Sequence, residues 1–285
     1  MKIYIVGKEK IKDHQGGGFS FISHFIDGLT FGDIVNDSNE CDIYFVPSAS
    51  MVEKNNIIPE GKKIVLRIDN VLKNSRNKNA GMRKMREIAE RADLIVYQSE
   101  WAKGYISPMI KTNAKEVIII NGSDDKIFNP EGAKILEDKT IYLYIRSSNH
   151  DNKSWHIAHY HYEIINQQIE NTKLYIIGKF SRENLEYNFD FCNNEDYEFM
   201  GFVADRSYLA TLYRTANYLL FPYYNDACSQ TLIEWILTKN SVEEILLNNG
   251  SGGNMDIIWR FEKEGREGLS IKRMMKDYEK ELNGI

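Results

Sequence analysis

The sequence predicts an α/β protein made of two parallel-sheet halves, and three observations lead there. Short apolar runs rich in Ile, Val, Leu and Tyr alternate with helix-period segments along the 285 residues, the pattern of doubly buried strands joined by crossover helices. A turn-rich segment, Asn121-Gly122-Ser123-Asp124-Asp125 with Asn129-Pro130 after it, interrupts that alternation, and Asn-Gly and Asn-Pro are strong punctuators. The alternation then resumes with the same logic. The expectation is two Rossmann-like domains facing across a cleft, divided as 1–125 and 126–267, with a closing segment, 268–285, packing back toward the first domain.

In the first half, residues 2–6 have the composition of a strand, and a helix over 19–28 follows Gly16, Gly17 and Gly18. Strands are expected over 43–46, 63–66 and 94–97, with a helix over 82–91 between the last two, then a helix over 100–109 and a strand over 116–120. In the second half, strands are expected over 140–145, 173–177, 198–200, 218–221 and 244–247. Helices are expected over 154–168, 207–214, 229–237 and 254–264. The last helix, 270–282, is amphipathic, with Ile271, Met274, Met275 and Tyr278 on one stripe.

Bulk properties narrow the class. A hydrophobic content of 42% with 12% aromatic residues supports an ordinary core. No apolar run approaches the roughly 18 residues of a membrane span, and the amino terminus reads as a strand rather than a leader. A net charge of −5 gives no global attraction for nucleic acid or anionic lipid. Cys41, Cys192 and Cys228 are few, odd in number and without metal-type spacing, which favours a reducing cytoplasm.

Residues 217–234 are the most informative stretch. A buried strand leads through Pro222 into a polar loop and then a helix that carries Glu234 in its second turn. Asp226 and Glu234 are separated by seven residues, so both acids can face one ligand at the carboxyl end of a strand, where open α/β sheets bind ligands. Between them, the backbone N–H groups of Ala227, Cys228, Ser229 and Gln230 offer an anion site at the helix start. Carboxylates for hydroxyls beside N–H groups for phosphate suit a nucleotide-sugar.

Several blocks, in order, resemble the GT-B retaining glycosyltransferases, specifically glycosyltransferase family 4. Gly16-Gly17-Gly18 follows the first strand as that family's Gly-rich loop does. Asn121-Gly122-Ser123-Asp124 with Phe128-Asn129-Pro130 resembles its Asn-Gly-Val-Asp hinge and the Phe-x-Pro beyond. Tyr144-Ile145-Arg146 with Lys153 is similar to its strand-end Gly-Arg and downstream Lys. Gly201-Phe202-Val203 with Leu209 and Tyr213 resembles the segment before its acidic motif. Asp226 and Glu234 stand at the two ends of its Glu-seven-residues-Glu signature, and Gly252-Gly253 with Asp256-Ile257-Ile258 resembles the Gly-Gly-x-x-Glu-Ile-Ile that follows.

The resemblance implies a GT-B enzyme that moves a sugar from a UDP- or GDP-sugar to an acceptor hydroxyl without a metal. Arg146 and Lys153 would hold the diphosphate, Glu234 the ribose and Asp226 the sugar. Val203 would meet the base through its backbone, and Gly17 and Gly18 would close over from the other domain. Two departures stand out. Asp226 is one methylene shorter than the family's Glu, and Arg67-Ile68-Asp69-Asn70 replaces a His carried by many members. Asp69 at a strand end is either a general base, an acceptor anchor or a turn cap.

Other features admit more than one meaning. His156 and His159 share a helical face while His161 lies off it, and with His150 they converge poorly on a metal. Lys73, Arg76, Lys78, Arg83, Lys84 and Arg86 form a run without an acid. Such a run is a solvated face, a contact for DNA, or a contact for phospholipid at a membrane surface. Two alternatives therefore stay open: a bacteriophage-type enzyme glycosylating a hydroxymethylated DNA base, and a non-catalytic nucleotide-sugar-binding module. A dehydrogenase is disfavoured, because no Gly-x-Gly-x-x-Gly follows the first strand.

Overall fold

The computed structural model describes residues 1–11, 17–53, 58–69, 78–146, 153–178, 180 and 195–285. The chain divides into two compact units. One comprises Met1–Ser123, Asp226–Ser229 and Gly252–Ile285, the other Asp124–Asn225 and Gln230–Ser251. This differs from the expected division, because residues 252–267 and the loop 226–229 belong to the first unit. The cause is close backbone packing. A Cβ on Gly252 would lie 2.5 Å from the Asp226 carbonyl oxygen, and one on Gly253 would lie 2.0 Å from that of Ala227 and 2.6 Å from Ser99 Oγ.

In the first unit, β1 (Lys2–Ile5), β2 (Asp33–Ile34), β3 (Ile43–Val46), β4 (Lys63–Ile68), β5 (Leu94–Tyr97) and β6 (Lys115–Ile118) form a parallel sheet in the order β2-β1-β3-β4-β5-β6. Alternate side chains serve opposite faces. Ile43 and Phe45 join a core with Phe21 and Phe25 of α1 (Gly17–Gly28) and with Met274, Met275 and Tyr278 of α8 (Ile271–Leu282). Tyr44 and Val46 join a second core with Met82, Met85 and Ile88 of α2 (Lys78–Ala89) and Ile106 of α3 (Glu100–Ile106). Phe25 lies 4.9 Å from Phe45 and 5.1 Å edge-on from Tyr278, so the apolar stripe of α8 is part of this unit's interior. Before α8, α7 (Asn254–Glu264) caps α3, because Asp256 accepts the Glu100 N–H at 3.2 Å.

The second unit contains β7 (Thr140–Arg146), α4 (Trp155–Gln168), β8 (Thr172–Gly178), β9 (Tyr197–Gly201), α5 (Arg206–Thr215), β10 (Tyr218–Leu220), α6 (Gln230–Lys239) and β11 (Ile245–Leu246). Its sheet is also parallel, in the order β11-β10-β7-β8-β9. The chain moves outward from β7 to β9 and then returns to the other side of β7 at β10. The carboxyl ends of β7 and β10 therefore flank a topological switch point, the usual ligand position in such sheets. The segment after the boundary is held down by Arg214, which donates to the carbonyls of Ala133 (2.9 Å), Asn129 (3.2 Å) and Ile127 (3.4 Å). Gly132 is at φ +121°, and a Cβ there would lie 3.1 Å from the Arg214 guanidinium carbon.

Candidate functional site

Two cations sit at the switch point of the second sheet. Arg146 ends β7 and is buried, with its guanidinium 4.6 Å from the centre of the Phe180 ring. Its register partner is Gly178, where a Cβ would come within 2.0 Å of the Arg146 carbonyl oxygen and 2.7 Å of its Cγ. A side chain at 178 would displace Arg146. Lys153 lies with Nζ 4.0 Å above the ring of Tyr223, which follows β10. Tyr144 joins the two sides: its hydroxyl donates to the Lys153 carbonyl at 2.9 Å, and its ring meets Tyr223 edge-on at 6.4 Å. Aromatic faces attract cations, so a ring orients each of these two side chains beside the strand ends.

Glu234 is in the second turn of α6 and its side chain is only 4% exposed. Arg206 Nη2 lies 2.9 Å from one carboxylate oxygen, and the Tyr213 hydroxyl donates to the other at 3.2 Å. Burial raises the Glu234 carboxyl above its ordinary range, while Arg206, Tyr213 and Gln230 pull the other way. Arg206 is the first residue of α5, a helix capped by Asp205 through the N–H groups of Ser207 and Tyr208. Its guanidinium also lies 4.7 Å from the centre of the Phe128 ring.

The sequence singled out Glu234 but missed Arg206. The available signal was electrostatic: a cation at the positive end of a helix is unfavourable and so points to a carboxylate partner elsewhere. Val203 lies half-buried in the connection between β9 and α5, beside the partly exposed Phe202.

The rest of the expected site lies in the first unit. Asp226 through Ser229 cluster there, so the two ends of the acidic motif fall in different units. Asp226 is half-buried, and its carbonyl accepts the Gly253 N–H at 2.8 Å. Ala227 and Cys228 are buried, and burial pushes the Cys228 thiol up to about 12. Ser229 is buried as well, and its hydroxyl has no hydrogen-bond partner among the described residues. Gln230 opens α6 and belongs to the second unit.

At the carboxyl end of the first sheet, Gly18 and Asp69 come together. A Cβ on Gly18 would lie 2.9 Å from Met51 Cε and 3.9 Å from Asp69 Oδ2. Gly17 begins α1, and Gly16 lies outside the described residues. Arg67, also unforeseen, is buried in β4. It donates to Gln98 Oε1 at 2.7 Å, Asn121 Oδ1 at 3.0 Å and the Pro47 carbonyl at 3.2 Å, with its guanidinium 3.8 Å from the centre of the Phe21 ring.

Of the basic run, Lys73 and Arg76 and the side chain of Lys78 lie outside the described residues. On α2, Arg83 is 3.7 Å from Glu87, Lys84 donates to the Val52 carbonyl, and Arg86 donates to that of Met109 at 2.8 Å. Carbonyl partners orient both cations, and Lys84 also acts on the carboxylate of Glu53. His159 stacks on Trp155 at 5.3 Å and lies 3.7 Å from Glu163, while His150 is outside the described residues. Among the described residues no group of three or more His, Cys, Asp or Glu is placed to hold a metal ion. No helix among them is long and apolar enough to cross a membrane.

No protein-family model and no curated protein sequence matches the chain. Solved structures do. The chain superposes on Anabaena HepE in complex with UDP with a TM-score of 0.68 at 10% identity, covering 100% of this chain and 99% of that one. HepE in complex with UDP-glucose gives 0.65 at 11% identity, with 100% of both chains covered. Sucrose-phosphate synthase from Thermosynechococcus elongatus gives 0.63 at 12% identity, covering 99% of this chain and 94% of that one. The chain has the GT-B fold. In GT-B terms the second sheet, with Arg146, Lys153 and Glu234 in its unit, is the carboxy-terminal Rossmann-like domain. The first sheet, with Gly17, Gly18 and Asp69, is the amino-terminal one.

Proposed function

We propose that the protein transfers a sugar from a nucleotide-sugar donor to an acceptor hydroxyl, with retention at the anomeric carbon. The observation that carries this reading is Arg146 and Lys153 at the switch point of the second sheet, in the same unit as the buried carboxylate of Glu234. HepE, whose fold the chain shares, is described in complex with UDP and with UDP-glucose, which supports a nucleoside-diphosphate donor.

In this reading Arg146 and Lys153 bind the diphosphate. The anomeric carbon–oxygen bond breaks, negative charge develops on the departing phosphate, and fixed cations at that point favour the transition state. Arg supplies a planar fork and Lys a point charge. They do electrostatically what a metal does in other transferases, so the reaction runs without one. Glu234 accepts the ribose hydroxyls and Asp226 the sugar hydroxyls. The N–H groups of residues 227–230 and the Ser229 hydroxyl contribute to the anion site, and Gly17 and Gly18 let backbone approach the donor. The acceptor oxygen bonds to the anomeric carbon on the face the phosphate leaves. Its proton passes to the departing phosphate oxygen, with Asp69 orienting the acceptor.

A thermal-shift screen of UDP- and GDP-sugars tests the donor class, since a true donor raises the melting temperature in proportion to its occupancy. Release of nucleoside diphosphate from the stabilising donor then tests catalysis. Stabilisation with no release under any acceptor supports a binding module instead, and no shift with any nucleotide-sugar defeats the proposal.

A further inference from the structure

The loop 226–229 belongs to no strand or helix, yet it is anchored along its length. Asp226 gives its carbonyl to the Gly253 N–H at 2.8 Å, and a Cβ on Gly252 would lie 2.5 Å from that oxygen. The Ala227 carbonyl lies where a Cβ on Gly253 would come within 2.0 Å. Cys228 adds a side-chain anchor. It is buried, and its sulfur accepts the backbone N–H of Asn121. Asn121 is held in turn: its Oδ1 accepts from Arg67 at 3.0 Å, and its Nδ2 donates to Gln98 Oε1 at 2.7 Å. Gln98 Nε2 donates to the Ile68 carbonyl at 2.8 Å, which closes the cluster onto β4. Arg67 and Tyr278 both lie near enough to act electrostatically on the thiol.

Resting on the donor reading above, we propose that Cys228 is a positioning residue for the donor phosphate. Its thiol plugs the loop into the Arg67 cluster and so holds the loop's N–H groups in the orientation that receives an anion. The need is geometric. An N–H group binds along its own direction, and a loop outside helix and sheet takes that direction from its anchors. A loop without them is ordered by the ligand instead, and affinity falls by the fraction of molecules in which it is out of place. The Ser229 hydroxyl, next in the chain, is buried and has no hydrogen-bond partner among the described residues. A buried hydroxyl left so is costly unless a ligand meets it, which marks this loop as a place where one binds. Arg67 and Asn121 act one step further back, by fixing the N–H that the thiol engages.

Titration calorimetry of UDP and GDP tests this with wild type, Cys228→Ala, Cys228→Ser and Cys41→Ala. Cys228→Ala removes the acceptor and frees the middle of the loop. With the competent arrangement reduced to about a tenth of the population, Kd rises about tenfold. Cys228→Ser returns an acceptor to the Asn121 N–H and should bring Kd most of the way back to the wild-type value. Cys41 is the control, a buried cysteine of the same unit whose thiol donates to the Ser38 carbonyl at 3.0 Å. Cys41→Ala should lower the melting temperature and leave Kd unchanged. Unchanged Kd in Cys228→Ala, an equal rise in Cys41→Ala, or no recovery in Cys228→Ser overturns the proposal. If Cys228→Ala melts below the assay temperature, Gly253→Ala, which displaces the Ala227 carbonyl instead, decides: a raised Kd supports the proposal and a wild-type Kd overturns it. A wild type that binds neither nucleotide defeats the donor reading itself, a result distinct from equal affinity in wild type and variants.

Discussion

Arg67 in the first unit and Glu234 in the second are both charged and both buried, and they are stabilised in opposite ways. Arg67 spends its donors on two side-chain amide oxygens and a backbone carbonyl and lies against an aromatic face. Its partners come from the loop after β3, the end of β5 and the boundary segment, so moving it would disturb three pieces of chain. Glu234 is neutralised by one long side chain that reaches solvent. A buried cation tied to three pieces of chain is fixed by the fold; a buried carboxylate beside an arginine is balanced by charge. The first arrangement builds a scaffold, and the second keeps an ion pair with one partner in reach of solvent.

The largest expected effect comes from breaking the scaffold. Arg67→Met should cost on the order of 3 kcal/mol, because it leaves the acceptors on Pro47 and Asn121 without that donor in a dry site and Gln98 with only the Asn121 amide. Urea titration would measure this, and a loss under about 1 kcal/mol would show the network to be dispensable.

Glu234→Gln should have the opposite profile. It should weaken nucleotide binding by about tenfold or more, the loss of charge-assisted hydrogen bonds, while global stability near neutral pH holds or rises. The sign follows from the carboxyl being raised in the folded protein. Between the unfolded value and that raised value the folded state binds more protons, so this group makes wild-type stability fall as pH rises. The variant should lose that slope, as melting temperatures across the same interval would report.

Two glycines sharpen the scaffold side of the comparison. Gly253→Ala should destabilise by about 1–3 kcal/mol, since its methyl would overlap the Ala227 carbonyl and Ser99 Oγ. Gly104→Ala, exposed within α3 with nothing within 4 Å of the added methyl, should instead stabilise by about 0.5–1 kcal/mol. Thermal unfolding of the pair separates close packing from backbone freedom.

The strands and helices were largely legible, because their apolar periods are local. Residues 43–46, 94–97 and 254–264 were expected at the bounds observed for β3, β5 and α7. The edge strand β2 was not, since two residues carry no period. The membership of 226–229 and 252–267 was also hidden, because it depends on two glycines meeting backbone distant in sequence. Arg67 and Arg206 escaped for a related reason: motif spacing draws attention to acids and glycines, whereas these cations break local rules. One interrupts an apolar strand and the other opposes a helix dipole. Each violation is a sign of a partner that periodicity cannot name.

The interior place of α8 bears on how the chain folds as it is made. Met274, Met275, Tyr278 and Leu282 fill the core beneath the first sheet, so that core is complete only once residue 282 has emerged from the ribosome. The second unit is complete in sequence by residue 251, before those side chains are made. All six strands of the first sheet are made by residue 118, so the face that α8 covers stays apolar and open to aggregation until that helix follows.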